Sequence, residues 1–330
     1  MMLRNYWHIA CATSRIDRLP KAVRVLDQDL VLFRDAEGAP RALLDRCCHR
    51  GVRLSLGTVA GGRLACGYHG WEYDGAGRCV HIPSLAPEQG IPRGFEVRAF
   101  PLREQESYLF VWMGEGEPNP AAPPGIPDFD RFAWQQGVSE FACDAMRLIE
   151  NNLDWCHPAF THAGTHPQYF QVKANGFRDY EFETRVTEAG LALFFPPTAA
   201  AEDPVPTLPA IKLAFDLPGR VLIRAARPGM DYVVVMHFIP TGAASCRMEW
   251  LWSDRAGRGV AWLDEEPRLF TQDRIVESAQ GWDGASEVER SVEADMPTLL
   301  ARRIVALAER GAWEAERSHL PQRRLVHVRS

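Results

Sequence analysis

Cys47-Cys48-His49-Arg50-Gly51, completed by Cys66-Gly67-Tyr68-His69-Gly70-Trp71, pairs one cysteine with one histidine twice over. The pattern is C-x-H, then sixteen residues, then C-x-x-H-G-W. Each pair is followed by a glycine, as expected where a chain turns sharply. Two thiols and two imidazoles carried on two loop tips can clamp a metal centre between them. The candidate ligands are Cys47, His49, Cys66 and His69. The bland alternative is four unrelated buried residues, and the tight double spacing argues against it.

Two metals compete for such a set. Zinc takes Cys2His2 tetrahedrally, commonly with both cysteines in one pair and both histidines in the other. Here each pair mixes the two donors. A 2Fe-2S cluster of the Rieske kind suits that mixture, since one iron takes two Cys and the other two His. Each loop then supplies one ligand to each iron.

Outward from these loops, residues 1–113 read as short strands and turns. Val23-Arg24-Val25-Leu26 and Leu30-Val31-Leu32-Phe33 flank Asp27-Gln28-Asp29, a hairpin-like pattern. Further strands are expected at 41–44, 63–65, 71–73, 97–101 and 108–112. They make a small antiparallel β domain. The Pro- and Gly-rich stretch from Gly114 to Asp128 cannot be regular structure and is the natural boundary. The expected domains are residues 1–118 and 119–330. A second Pro- and Ala-rich stretch, Pro196 to Pro206, is too long for a tight turn and reads as a lid, a subunit contact or a disordered loop.

The totals narrow the class. The chain has 330 residues, 46% hydrophobic and 24% charged, which fits two modest globular domains. A net charge of −6 argues against nucleic acid or an anionic membrane as partner. No apolar run reaches the length of a spanning helix. Met1 to Ile16 carries no export signal, so a cytoplasmic protein is expected. In that compartment eight cysteines mean metal ligands and free thiols rather than disulfides. Cys11, Cys79, Cys143, Cys156 and Cys246 are expected to be packed thiols.

The second stretch with chemistry is Glu150-Asn151-Asn152-Leu153-Asp154-Trp155-Cys156-His157-Pro158-Ala159-Phe160-Thr161-His162. Asp154 and His157 are three apart and would share a helix face. His157 and His162 are five apart, and Pro158 breaks the helix between them, which can bring both rings to one point. Two imidazoles plus a carboxylate form the facial triad of non-haem iron(II) oxygenases. The carboxylate must come from elsewhere. Residues 262–280 read as a helix with Trp262, Leu269, Phe270 and Val276 on one stripe, and Asp273 falls on that stripe. A carboxylate facing a core needs a metal or a cation. Glu277 is the rival carboxylate, and His166 is the rival imidazole.

Between these segments, strands are expected at 177–186, 191–195, 211–215, 221–225, 232–239 and 246–252. With the helix at 262–280 they fit an antiparallel sheet wrapped on a long helix, an α+β arrangement that leaves a ligand cavity. Phe194, Phe195, His237, Ile239 and Trp250 are candidates to line it, with ordinary core residues as the alternative. Asn151 is a further candidate near the metal.

The run from Cys47 to Trp71, followed by Tyr73-Asp74-Gly75 and Gly77, resembles the cluster motif of Rieske non-haem iron oxygenases. D-x-x-H-x4-H from Asp154 to His162 resembles the iron motif of the same family, so the resemblance spans both domains. Cys48 and Gly67 stand where the family commonly has proline. The resemblance implies an N-terminal Rieske domain and a C-terminal helix-grip catalytic domain. It implies ligation of 2Fe-2S by Cys47, His49, Cys66 and His69, and of iron(II) by His157, His162 and Asp273, with Asp273-Arg-Ile-Val-Glu277 matching the family's helix. It makes Asp154 a residue that bonds an iron-ligating histidine and meets a cluster histidine of the next subunit. It also implies O2 as co-substrate, an external reductase or ferredoxin as electron donor, and a head-to-tail homotrimer. The short chain is most similar to single-subunit-type monooxygenases and O- or N-demethylases of small aromatic or heterocyclic compounds. Ring cis-dihydroxylation is the alternative within the family. An electron carrier fused to a ligand-binding domain, and a zinc-stabilised interaction module, are the alternatives from other classes.

Overall fold

The computed structural model describes residues 1–86, 88–162, 179–195, 210–227, 230–254, 271–275 and 290–329. The chain divides into two compact units. One is Arg4–Gly125, and the other is Ile126–Ser330 together with Met1–Leu3. Most of the Pro-rich stretch, up to Gly125, therefore belongs to the first unit. Its carbonyls are strapped down within that unit. Asn119 O accepts from the Trp7 indole at 3.0 Å, Pro120 O from Arg103 at 3.2 Å, and Pro123 O from Gln105 at 3.2 Å.

The first unit is built from eleven described strands in three antiparallel sheets. They are β1 (Trp7–Ala12), β2 (Lys21–Val25), β3 (Gln28–Arg34), β4 (Pro40–Leu44), β5 (Thr58–Ala60), β6 (Arg63–Ala65), β7 (Glu72–Tyr73), β8 (Cys79–His81), β9 (Ala99–Phe100), β10 (Leu102–Gln105) and β11 (Tyr108–Trp112). The sheet orders are β1-β11-β10, β2-β3-β4-β9 and β5-β6-β7-β8. The first hairpin turns at Leu26-Asp27, one step before the expected Asp27-Gln28-Asp29. Val25 pairs Gln28, and both turn residues take positive φ (48° and 63°). Such a two-residue turn matches the strand twist, so register outweighs the preference for polar turn residues. Val31, Phe33, Leu43, Leu54, Leu64, Trp71, Tyr73 and Val97 form the core under the two cysteine loops, and Cys47 and Cys66 belong to it.

The second unit centres on an eight-stranded antiparallel sheet in the order β12-β18-β17-β16-β15-β14-β13-β19. Its strands are β12 (Gln135–Phe141), β13 (Asp179–Val186), β14 (Gly190–Phe195), β15 (Ala210–Asp216), β16 (Arg220–Arg227), β17 (Met230–Gly242), β18 (Ser245–Asp254) and β19 (Arg323–Arg329). Helices α1 (Ala145–Leu153), α2 (Pro158–Thr161) and α3 (Met296–Glu309) accompany it. α1 packs on α3 and lies over β15, β17 and β18, while α3 lies over β14. Glu150 of α1 takes both nitrogens of a fork from Arg302 of α3, one at 2.7 Å. Among the described residues the long C-terminal helix against the sheet is 296–309, which the sequence reading missed along with the edge strands 135–141 and 323–329. Of the helix expected at 262–280, residues 271–275 are helical and the rest lie outside the described residues. So do His166, Glu277 and the stretch 196–206. Among the described residues no helix is long and apolar enough to cross a membrane.

Candidate metal centres

The two cysteine loops are built alike. Cys47 N bonds Val52 O at 2.8 Å and Gly51 N bonds Cys47 O at 2.9 Å. In the second loop, Cys66 N bonds Trp71 O at 2.8 Å and Gly70 N bonds Cys66 O at 3.0 Å. Gly51 and Gly70 both sit at positive φ (73° and 70°), which lets each loop close on its own cysteine. The repeat of this closure is what the C-x-H and C-x-x-H spacings encode. Asp45, buried beside the first loop, accepts from Ser55 N at 2.7 Å and from the Ser55 hydroxyl at 2.6 Å, and so anchors it. Sequence reasoning did not single out that pair.

The two thiols lie side by side, and so do the two imidazoles. Both cysteines are buried, while His49 is half-buried and His69 exposed. The two imidazole rings lie 4.7 Å apart, and Trp71 stacks on His49 at 4.5 Å with the planes parallel to within 1°. Burial raises the Cys66 thiol above its ordinary value, and the Cys47 thiol beside it adds to the rise. Two thiols turned into the core and two imidazoles turned outward fit a cluster with one sulfur-bound and one nitrogen-bound iron. They do not resemble a closed zinc site.

The second centre forms after α1. Asp144 caps that helix, its Oδ1 accepting from Met146 N at 2.7 Å. The helix ends at Leu153, and Asp154 is already extended (φ −76°, ψ 110°). Asp154 and His157 therefore do not share a helix face as the spacing predicts. Pro158 opens a new short helix, the position a proline favours, and so forces the break upstream. Asp154 still serves His157, through its backbone. Asp154 O lies 2.8 Å from His157 Nδ1, and its carboxylate Oδ1 accepts from Cys156 N at 2.8 Å. The carbonyl makes Nδ1–H the donor and leaves the Nε2 lone pair to face a metal.

His162 is fixed in the same way by a different partner. Its Nδ1 lies 2.9 Å from Gln272 Oε1, and its Nε2 faces Asp273 Oδ1 at 3.1 Å. His157 Nε2 is 3.9 Å from the same oxygen. The ligand atoms of His157, His162 and Asp273 all lie within 4.8 Å of one another. Asp273 is 8% exposed, yet Oδ1 accepts no hydrogen bond from the described residues. A buried carboxylate oxygen left unbonded between two imidazole nitrogens fits a cation there. Burial holds His157 below the ordinary imidazole value. It acts the same way on His162, where the neighbouring Asp273 carboxylate and Gln272 together outweigh it and the value is raised. Gln272 was not among the sequence candidates; its position just before Asp273 was the available signal.

The register separates the expected pocket residues. Phe194 pairs Lys212, Lys212 pairs Arg224, and Arg224 pairs Val233, so Phe194 shares a sheet face with His237 and Ile239. Phe195 and Trp250 lie on the other face, Trp250 opposite Met236. The metal centre belongs with that second face. Trp155 packs on Phe182 at 6.1 Å and on Phe195 at 5.7 Å, and Arg274 sits over Phe141 at 5.2 Å. Phe194, His237 and Ile239 therefore do not line one cavity with Phe195 and Trp250. Strand alternation, invisible without the register, is the reason. Asn151 lines a polar cavity of about 220 Å³ with Arg147, Glu150, Asp154, Arg290 and Arg302.

Residues 6–101 match the Rieske [2Fe-2S] domain, so the first unit carries a Rieske domain. Beyond the domain, the resemblance runs to oxygenase components. The dicamba O-demethylase oxygenase component of Stenotrophomonas maltophilia is 34% identical over 165 residues, 48% of this chain and 48% of that protein. Crystalline dicamba monooxygenase bound to dicamba superposes with a TM-score of 0.76 at 24% identity, covering 93% of this chain and 97% of the other. NdmA of Pseudomonas putida CBB5 with caffeine gives 0.77 at 24% identity, over 97% and 96% of the two chains. The fold of both units is thus that of these proteins. In sequence, the chain spans 33–48% of the length of the first curated relatives it matches.

Proposed function

We propose that this chain is the oxygenase component of a Rieske non-haem iron oxygenase system, acting in the cytoplasm. The observation that carries the proposal is the meeting of His157, His162 and the unbonded Asp273 oxygen within 4.8 Å, in a chain that also holds a Rieske domain. An electron carrier has no use for a second, three-ligand site. Cys47, His49, Cys66 and His69 hold the cluster, and His157, His162 and Asp273 hold one iron. When bound, the two centres supply one-electron transfer and O2 activation.

The chain's own groups do the rest. Asp154 O and Gln272 Oε1 hold the two imidazoles in the tautomer that points Nε2 at Asp273. Trp155, two residues before His157, packs on Phe182 and Phe195 and so ties the ligand segment to an apolar sheet face. The outward ring edges of His49 and His69 are where electrons from a reductase or ferredoxin enter. The substrate is a small aromatic or heterocyclic compound, and the reaction is hydroxylation or O- or N-demethylation. The dicamba-bound and caffeine-bound neighbours support that class. Assembly is a head-to-tail homotrimer, in which a ring of heterologous contacts closes and Asp154 meets a cluster histidine of the next copy.

Oxygen uptake against a panel of methoxy- and N-methyl-aromatics, with product analysis, tests the reading. His157→Ala and Asp273→Ala are expected to keep the red-brown cluster and lose substrate oxidation. Full turnover by His157→Ala would refute the site assignment.

A further inference from the structure

Cys48 stands directly after a cluster ligand, and its thiol is not idle. Tyr73 is fully buried, and its hydroxyl lies between two sulfurs: Cys47 Sγ at 3.0 Å and Cys48 Sγ at 3.3 Å. Cys48 as a residue is exposed, yet its sulfur reaches inward to this hydroxyl. A phenol has one proton to give and lone pairs to accept with. A thiolate bound to iron carries no proton, so Cys47 can only accept. The Tyr73 proton therefore goes to Cys47 Sγ, and what remains for Cys48 is to donate its S–H to Tyr73 Oη. The order Cys48 S–H to Tyr73 O–H to Cys47 Sγ is the one that satisfies all three atoms.

We propose that Cys48 is a positioning residue for the cluster, which raises its reduction potential by donating through Tyr73 to the ligand Cys47. The reduced cluster carries one more electron, part of it on the ligand sulfurs. Donation to those sulfurs favours the reduced form. A donor behind the tyrosine polarises its O–H and strengthens the bond to Cys47. A proline in place of Cys48 offers no such donor, so this chain holds its cluster at a higher potential than the same loop with proline would. The inference rests on the cluster reading. Loss of the cluster's visible spectrum from the wild-type protein would count against that reading rather than against the relay.

The test is a redox titration of the purified holoprotein, followed by the visible and EPR signals of the cluster. Cys48→Ala is expected to shift the equilibrium about threefold toward the oxidised form, ~28 mV lower for one electron. Cys48→Ser, which keeps an O–H donor, is expected to restore the wild-type potential. Tyr73→Phe is expected to lower the potential further and to abolish the difference that Cys48→Ala makes. An unchanged or higher potential in Cys48→Ala overturns the relay. So does a Cys48→Ala shift that persists in the Tyr73→Phe background. Should Tyr73→Phe fail to hold its cluster, the comparison of Cys48→Ala with Cys48→Ser decides alone: equal potentials refute the proposal.

Discussion

At the scale of single residues, the second centre depends on which nitrogen of each imidazole is free. His157 takes its orientation from a main-chain carbonyl, and His162 takes its own from Gln272. The first bond survives any side-chain substitution at Asp154, whereas the second does not survive loss of Gln272. Gln272→Ala is therefore expected to weaken iron binding about 10–100-fold, the usual cost of removing a ligand's orienting partner. Titrating iron back into the apoprotein, with the cluster band as internal standard, measures it; unchanged affinity would show that His162 needs no such support. The candidate ligands stand out in the sequence because soft donors at fixed spacing are rare. Gln272 does not, since a glutamine on a helix carries no signal until its neighbour faces a metal.

At the scale of elements, the sheet face away from the metal centre holds a ladder of ionisable groups. Asp216 pairs Arg220, Arg220 pairs His237, and His237 pairs Glu249, strand to strand from β15 to β18. Arg220 reaches Asp216 Oδ2 at 2.6 Å. Burial, with Arg220 beside it, holds the His237 imidazole well below its ordinary value. The unfolded chain then binds more protons than the folded one once the pH drops below the free imidazole value, about 6.5. Stability is thus expected to fall below that pH, and His237→Gln is expected to flatten the dependence. Thermal unfolding of both proteins at about pH 7.5 and about pH 5.5 checks the sign; parallel losses in the two would show that His237 is not responsible. The strands themselves were readable from their apolar runs. Their register was not, and register is what sent Phe194, His237 and Ile239 to this face and left Phe195 and Trp250 on the other. Helix 296–309 escaped notice because its stripe begins in Met296-Pro297, where a proline reads as a break but in fact opens the helix.

At the scale of the whole molecule, the chain joins a Rieske domain to a unit in which His157, His162 and Asp273 could hold a metal, and the function proposed depends on both being loaded. The sequence reading sets the boundary after residue 118, inside a Pro- and Gly-rich stretch, and the compact units part after Gly125; the carbonyls of Asn119, Pro120 and Pro123 are captured by side chains upstream. The central claim is that one chain carries two kinds of iron. The direct measurement is iron per chain in the purified, reconstituted protein. The account predicts about three, two in the cluster and one between His157, His162 and Asp273, falling to about two in Asp273→Ala. A value of about two in the wild type, unchanged by Asp273→Ala, would contradict it.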